Sequence, residues 1–150
     1  CYSKAVYRRI NDMFQTGKTG MLLCILVCGL LLSSCGVRKA EKEKVRDLEY
    51  TVVEDEDLPE ELKEQIDLKK ESHFKFTYET GEYLYIVMGY GQQETGGYDI
   101  RVKELYLSPN AVFFQTELSG PEKGKTISQS PSCPYIVVKT ELVGEPVVFE

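Results

Sequence analysis

The sequence predicts a mainly β domain, an antiparallel β-sandwich or open barrel with one short N-terminal α-helix. Two observations predict it. From His73 onward, apolar residues come in short runs, several strictly alternating, parted by turn signals about every 8–12 residues. Only one stretch, EDEDLPEELKEQIDLKK, repeats apolar residues at helical spacing, with Leu58, Leu62 and Ile66 four apart.

The elements follow in order. DLEYTVV (47–53) reads as a strand with Leu48, Tyr50 and Val52 alternating. The helix comes next, with acids at its front, Pro59 in its first turn and lysines at its end, the order that the helix dipole favours. Asp55 and Asp57 lack the glycine-hinged loop of a calcium site, so they are read as a helix cap. In HFKFTYE the aromatic residues Phe74, Phe76 and Tyr78 alternate with polar ones, and ETGE turns the chain. EYLYIVMGY is apolar on both faces, as a buried central strand must be. YDIRVKELYL puts Tyr98, Ile100 and Val102 on one face. Ser108, Pro109 and Asn110 turn the chain into AVFFQTEL. The loop SGPEKGK leads through TISQS and SPSCP to YIVVKTEL, and EPVVFE supplies a short last strand.

Ahead of the domain, residues 1–34 have the pattern of a secretory signal. Lys4, Arg8, Arg9 and Lys18 precede the apolar run MLLCILVCGLLL, which is shorter than the roughly 20 residues that span a bilayer. Met13 is the expected start, because it keeps Lys18 in the basic region. The run ends in Leu32, Ser33, Ser34 and Cys35, which resembles the lipobox of bacterial lipoproteins. That resemblance implies lipidation of the Cys35 sulfur and anchoring on the outer side of a bacterial cell membrane. Two acyl chains bury enough methylenes for stable attachment. Residues 35–46 then form a polar tether, and 47–150 the β domain.

Five cysteines are present, but Cys1, Cys24 and Cys28 fall in the signal region and Cys35 would carry lipid. Cys133 is left alone, so the domain is expected to hold together by its core rather than by a disulfide. Loss of residues 1–34 removes four basic residues and one acid, leaving 14 Lys and Arg against 23 Asp and Glu, a formal net charge of −9. Such a surface argues against nucleic acid as a partner. No catalytic set emerges. His73 is the single histidine, no His or Cys cluster suits zinc, and no nucleophile–histidine–acid triad can be assembled. No metal, cofactor or enzymatic activity is expected.

One segment exceeds the needs of a plain hairpin. QQETGGYDI (92–100) places Thr95, Gly96, Gly97 and Tyr98 in a row, just after Gly89 and Gly91. Glycine permits positive φ and close backbone approach, and both Gly96 and Gly97 are candidates for it. Two readings stand. The loop is fold architecture with Tyr98 plugging the core edge, or it presents backbone and an aromatic ring to a partner. An exposed Tyr98 favours contact; a buried one favours architecture.

YGQQETGGYDIRVKEL, with PSCPYIVVK and the closing VVFE, resembles the C-terminal domain family of PrcB, the lipoprotein component of a surface protease complex. The recurring features fall on Gly91, Thr95, Gly96, Gly97 and Tyr98 in the loop, and on Pro134 and Tyr135 ahead of an apolar strand. The similarity is expected to run from about Leu48 to Glu150, with Gln92, Gln93 and Cys133 departing from the usual pattern. It implies a non-enzymatic accessory subunit that binds a protease or another exported protein through these residues. The loop is also similar, over a few residues, to that of chagasin-type protease inhibitors. A structural envelope lipoprotein, with the loop as fold architecture alone, is the alternative.

Overall fold

The computed structural model describes residues 39–150; the signal region 1–34, Cys35 and residues 36–38 lie outside the described residues. Ala40 to Glu150 form one compact unit. Two four-stranded sheets stack face to face, with a single helix on the outer side of one of them. The first sheet has the order β1 (Arg46–Asp47), β5 (Asp99–Leu107), β6 (Val112–Ser119), β8 (Val147–Phe149). The second has the order β2 (Tyr50–Val52), β7 (Tyr135–Glu141), β4 (Tyr83–Tyr90), β3 (His73–Glu79). The helix, α1, spans Glu60–Lys69. All pairings are antiparallel except β6 with β8, which is parallel. The expected sandwich is therefore present, with no closed barrel.

Between the sheets lie Leu84, Ile86 and Met88 of β4, Ile136 and Val138 of β7, Leu105 of β5, and Val112 and Phe114 of β6. The other face of β4 and β7, through Tyr85, Val87 and Val137, meets Leu58, Leu62 and Ile66 of the helical segment. The four-residue spacing of that stripe thus matches a sheet face, and burying Leu62 and Ile66 contributes about 1.5–3 kcal/mol each. Tyr78 ties α1 down further, its hydroxyl donating to Glu61 at 2.8 Å. A hydrogen bond of 2.7 Å between the hydroxyls of Tyr90 and Thr116 links the two sheets.

Two local readings need correction, and β5 holds a bulge that alternation does not display. The strand expected over 47–53 is two strands. Arg46–Asp47 pairs with β5, the chain crosses at Leu48 and Glu49, and Tyr50–Val52 pairs with β7. Leu48 alone of the alternating trio is buried, while Tyr50 and Val52 stay exposed on an edge. Asp55 and Asp57 do not cap the helix. Residues Asp55–Asp57 form a separate 3-10 turn, and the N-cap is Pro59 with no side-chain bond. In β5 the register shifts between Val102 and Glu104. This bulge changes the parity of the strand, so Ile100 and Val102 and then Leu105 and Leu107 all face the core. Simple alternation from Ile100 would have placed Glu104 there.

Residues ahead of β1 also take part. Ala40 packs on Tyr106 and Phe113, the stacked aromatic pair on the outer face of the first sheet, and the Val45 amide donates to Leu107 O at 2.8 Å. A chain begun at Ala40 should fold in reductant with a mainly β far-ultraviolet dichroism spectrum, since Cys133 is the one free cysteine among the described residues. Deleting residues 40–46 as well should lower the melting temperature by about 4 °C, the shift that about 1 kcal/mol produces in a domain of this size. An unchanged melting temperature would show that the segment adds nothing.

Candidate functional site

The Gly91–Tyr98 loop is the continuation of the central strand pair. Where β4 ends, the Tyr90 amide still donates to Pro134 O at 3.0 Å, extending the ladder to the residue before β7. Gly91 then turns the chain with φ +73°, in the left-handed region. A Cβ there would lie 3.0 Å from both His73 N and the Ser72 carbonyl carbon, against the backbone entering β3. The next amide, of Gln92, donates to Glu71 O at 3.0 Å, so the root of the loop is clamped to the α1–β3 connection.

The rest of the loop is laced to residues 128–132. Gln93 and Ser132 exchange two main-chain hydrogen bonds of 2.7 and 3.1 Å. The Ser132 hydroxyl donates to Thr95 O at 2.7 Å, and the Gly96 amide donates to Ser128 O at 2.9 Å. The Gln93 side-chain amide turns back to Tyr90 O at 3.1 Å. The Gly91–Tyr98 loop is thereby bonded to the segment that leads into Pro134 and Tyr135. Gln93, Ser128 and Ser132, which do the joining, carry no sequence signal beyond being polar loop residues.

Gly97, not Gly96, has the positive φ, at +84°. A Cβ on Gly97 would lie 2.9 Å from Ile127 Cγ2 and 3.1 Å from Pro121 Cβ, so the loop packs tightly on the 121–127 segment there. Gly96 has an ordinary φ, and its Cβ would meet only the Ser128 side chain closely, at 3.2 Å. Tyr98 is half-buried, with its ring beside Gly120. Gly91 and Gly97 serve the fold, while Gln92 and Glu94 are exposed and Thr95 and Tyr98 partly so.

Pro134 and Tyr135 are also half-buried. Tyr135 opens β7 opposite Gly89, and its hydroxyl donates to the Asp55 carboxylate at 2.5 Å. Burial, reinforced by that carboxylate, holds the phenol well above its ordinary pKa. Asp55 thus serves this tyrosine, a role the acid run of the sequence did not disclose. A shallow cleft of about 330 Å³ lies between Val52–Asp55 and Cys133–Val137. On the far side of the loop a second cleft, of about 510 Å³, is lined by Gly97, Asp99, Arg101 and residues of the 119–128 segment. Its rim carries the exposed ion pairs Arg101–Asp99 at 3.2 Å and Lys125–Glu122 at 2.8 Å, which contribute little to stability. Among the described residues no group of three or more His, Cys, Asp or Glu is placed to hold a metal ion. His73 is exposed, edge-on to the Tyr90 ring. What the arrangement exposes is main chain, amide and aromatic surface.

Gly97→Ala should destabilise the domain by about 1 kcal/mol or more, and Gly96→Ala by less, because only the former combines positive φ with a close contact. Equal losses in urea unfolding would show that φ is not the deciding constraint. Tyr135 gives a pH dependence. Folding raises its pKa from 10.0, so its contribution is complete below that pH and is lost as pH rises above it, where the unfolded chain releases the proton first. Tyr135→Phe should flatten the fall in melting temperature above about pH 10. Tyr78, raised by its bond to Glu61, remains in both proteins, so the difference isolates Tyr135. Identical pH profiles would remove Tyr135 from this account.

No curated protein and no solved structure matches the chain. The match to a family model is narrower than the Leu48–Glu150 span expected from the motifs, and it holds where the site is. Residues 84–141 match the model described as PrcB C-terminal, a span that takes in strands β4 to β7 and both candidate segments.

Proposed function

We propose that this chain is a non-enzymatic accessory subunit that binds a protease or another exported protein through the Gly91–Tyr98 loop and the adjoining Pro134–Tyr135 segment. Cys35 would anchor it by lipid to the outer side of a bacterial cell membrane. The PrcB C-terminal match supports association with a protease complex. One observation carries the choice of surface. The loop is laced to the 128–132 segment that leads into Pro134 and Tyr135, and the lacing uses main chain and the Ser132 hydroxyl, not the Thr95 and Tyr98 side chains. Those side chains are left half-exposed on a firm base, as residues that anchor an interface are. The alternative, a structural envelope protein in which the loop serves only the fold, draws support from the glycine contacts at Gly91 and Gly97.

Tyr98→Ala and Thr95→Ala separate these readings when capture of a membrane protease and melting temperature are measured on the same preparations. As contacts, both should reduce capture per folded molecule, with loss of the aromatic ring the larger effect. A Tyr98→Ala protein that is destabilised by a few kcal/mol, yet whose folded fraction captures normally, would leave only the architectural role. For the anchor, Cys35→Ala should abolish acylation and leave uncleaved precursor or released protein. Normal membrane partitioning of that variant at mature length would exclude the lipid.

A further inference from the structure

We propose that the free edge of β2 is a docking site for an extended basic polypeptide segment, which adds to the second sheet as another strand. β2 is an outer strand, paired only with β7. The Val53 amide donates to Val137 O at 2.9 Å. The alternation of an antiparallel ladder then turns the amides and carbonyls of Thr51 and Val53 toward β7, and those of Tyr50 and Val52 outward. Such an outward row is a template for another strand, which proteins usually guard with charge or proline. At the opposite edge β3 is guarded in this way, with His73, Lys75, Thr77 and Glu79 as its exposed side chains. β2 instead presents Tyr50 and Val52, 42% and 46% exposed. These are strand-forming residues with large apolar surface, and an incoming strand would cover them.

The surroundings select the occupant. A cleft lies at each end of β2: about 350 Å³ beside Tyr83 and Lys139, and about 330 Å³ beside Pro134 and Tyr135. Both are lined by β2 residues together with residues of β7, next to the free edge. Exposed acids bracket the strand, Glu49 before it and Glu54, Asp55, Glu56 and Asp57 after it. A segment with a short β-prone centre and basic flanks is complementary to this edge. A second copy of the chain is not, since pairing two β2 strands would bring the acid runs together. The edge shares the Pro134–Tyr135 cleft with the surface proposed above but not the Thr95 and Tyr98 side chains, so peptide binding by Val52→Pro and protease capture by Tyr98→Ala report on the two separately.

The probe is a fluorescent synthetic peptide with a Val-Thr-Val centre and lysines at both ends, titrated into the full chain at low salt and followed by anisotropy. Saturable binding is expected. It should weaken about tenfold or more when the centre is N-methylated, which removes strand hydrogen bonds, or when the lysines become glutamates. Val52→Pro should have the same effect, because it deletes an outward amide and leaves the bonds to β7 in place. Val52→Lys, which keeps the backbone and repels the probe, is the second variant and should also bind more weakly. Absence of saturable binding, equal binding by the N-methylated probe, or undiminished binding by both variants would overturn the proposal. So would a chain that self-associates through β2, with dimers that Val52→Pro abolishes and the peptide fails to displace.

Discussion

Everything in this domain depends on the β4–β7 pair being buried on both faces. An antiparallel pair with two apolar faces is stable only when each face is covered, and the chain provides a different cover for each. The first sheet covers Leu84, Ile86, Met88 and Val138, and the helical stripe covers Tyr85, Val87 and Val137. Gly89 belongs to the same solution. The Phe74 ring lies where a Cβ at Gly89 would be, 2.0 Å from its Cε1, so an aromatic side chain from β3 fills the space that a side chain on β4 would have taken.

The candidate site inherits its firmness from that pair. The loop after β4 and the segment before β7 leave the most constrained part of the molecule and stay bonded beyond it, through Tyr90 to Pro134 and Gln93 to Ser132. An interaction surface at the end of a rigid strand pair loses less conformational entropy on binding than a free loop would. Charge adds little to it. The ion pairs Arg101–Asp99, Lys125–Glu122 and Arg46–Glu141 are exposed and contribute little to stability.

The two ends of the strand order differ in kind. The crossing at Leu48 and Glu49 carries the chain from the first sheet to the second at one edge, with Leu48 buried in the core and Glu49 O accepting from the Thr140 hydroxyl at 2.7 Å. This gives a very short β2 with apolar side chains at its edge. At the other edge Lys75 reaches over the Phe149 ring, its amine 5.5 Å from the centroid, and links β3 to β8 across the sheets. One edge is thus closed by side chains, while the other is left open to pairing.

Local pattern was sufficient for the mainly β class, the one helix with its Leu58–Leu62–Ile66 stripe, the two-sided burial of β4 and the turn at Ser108–Asn110, where Ser108 Oγ donates to Ala111 O at 2.9 Å. Each rests on periodicity or turn chemistry within a few residues, which the sequence displays directly. The resemblance of β4–β7 to the PrcB C-terminal family was legible too, and that span matches the family model. Tertiary structure alone decided the split of 47–53 between two sheets, the bulge that returns Leu105 to the core, the parallel pairing of β8 and the bond from Tyr135 to Asp55. It also decided that Gly97 rather than Gly96 takes the left-handed conformation. These outcomes depend on which distant segment supplies the hydrogen-bond partner or occupies the space beside a residue, and alternation along a chain carries no record of that.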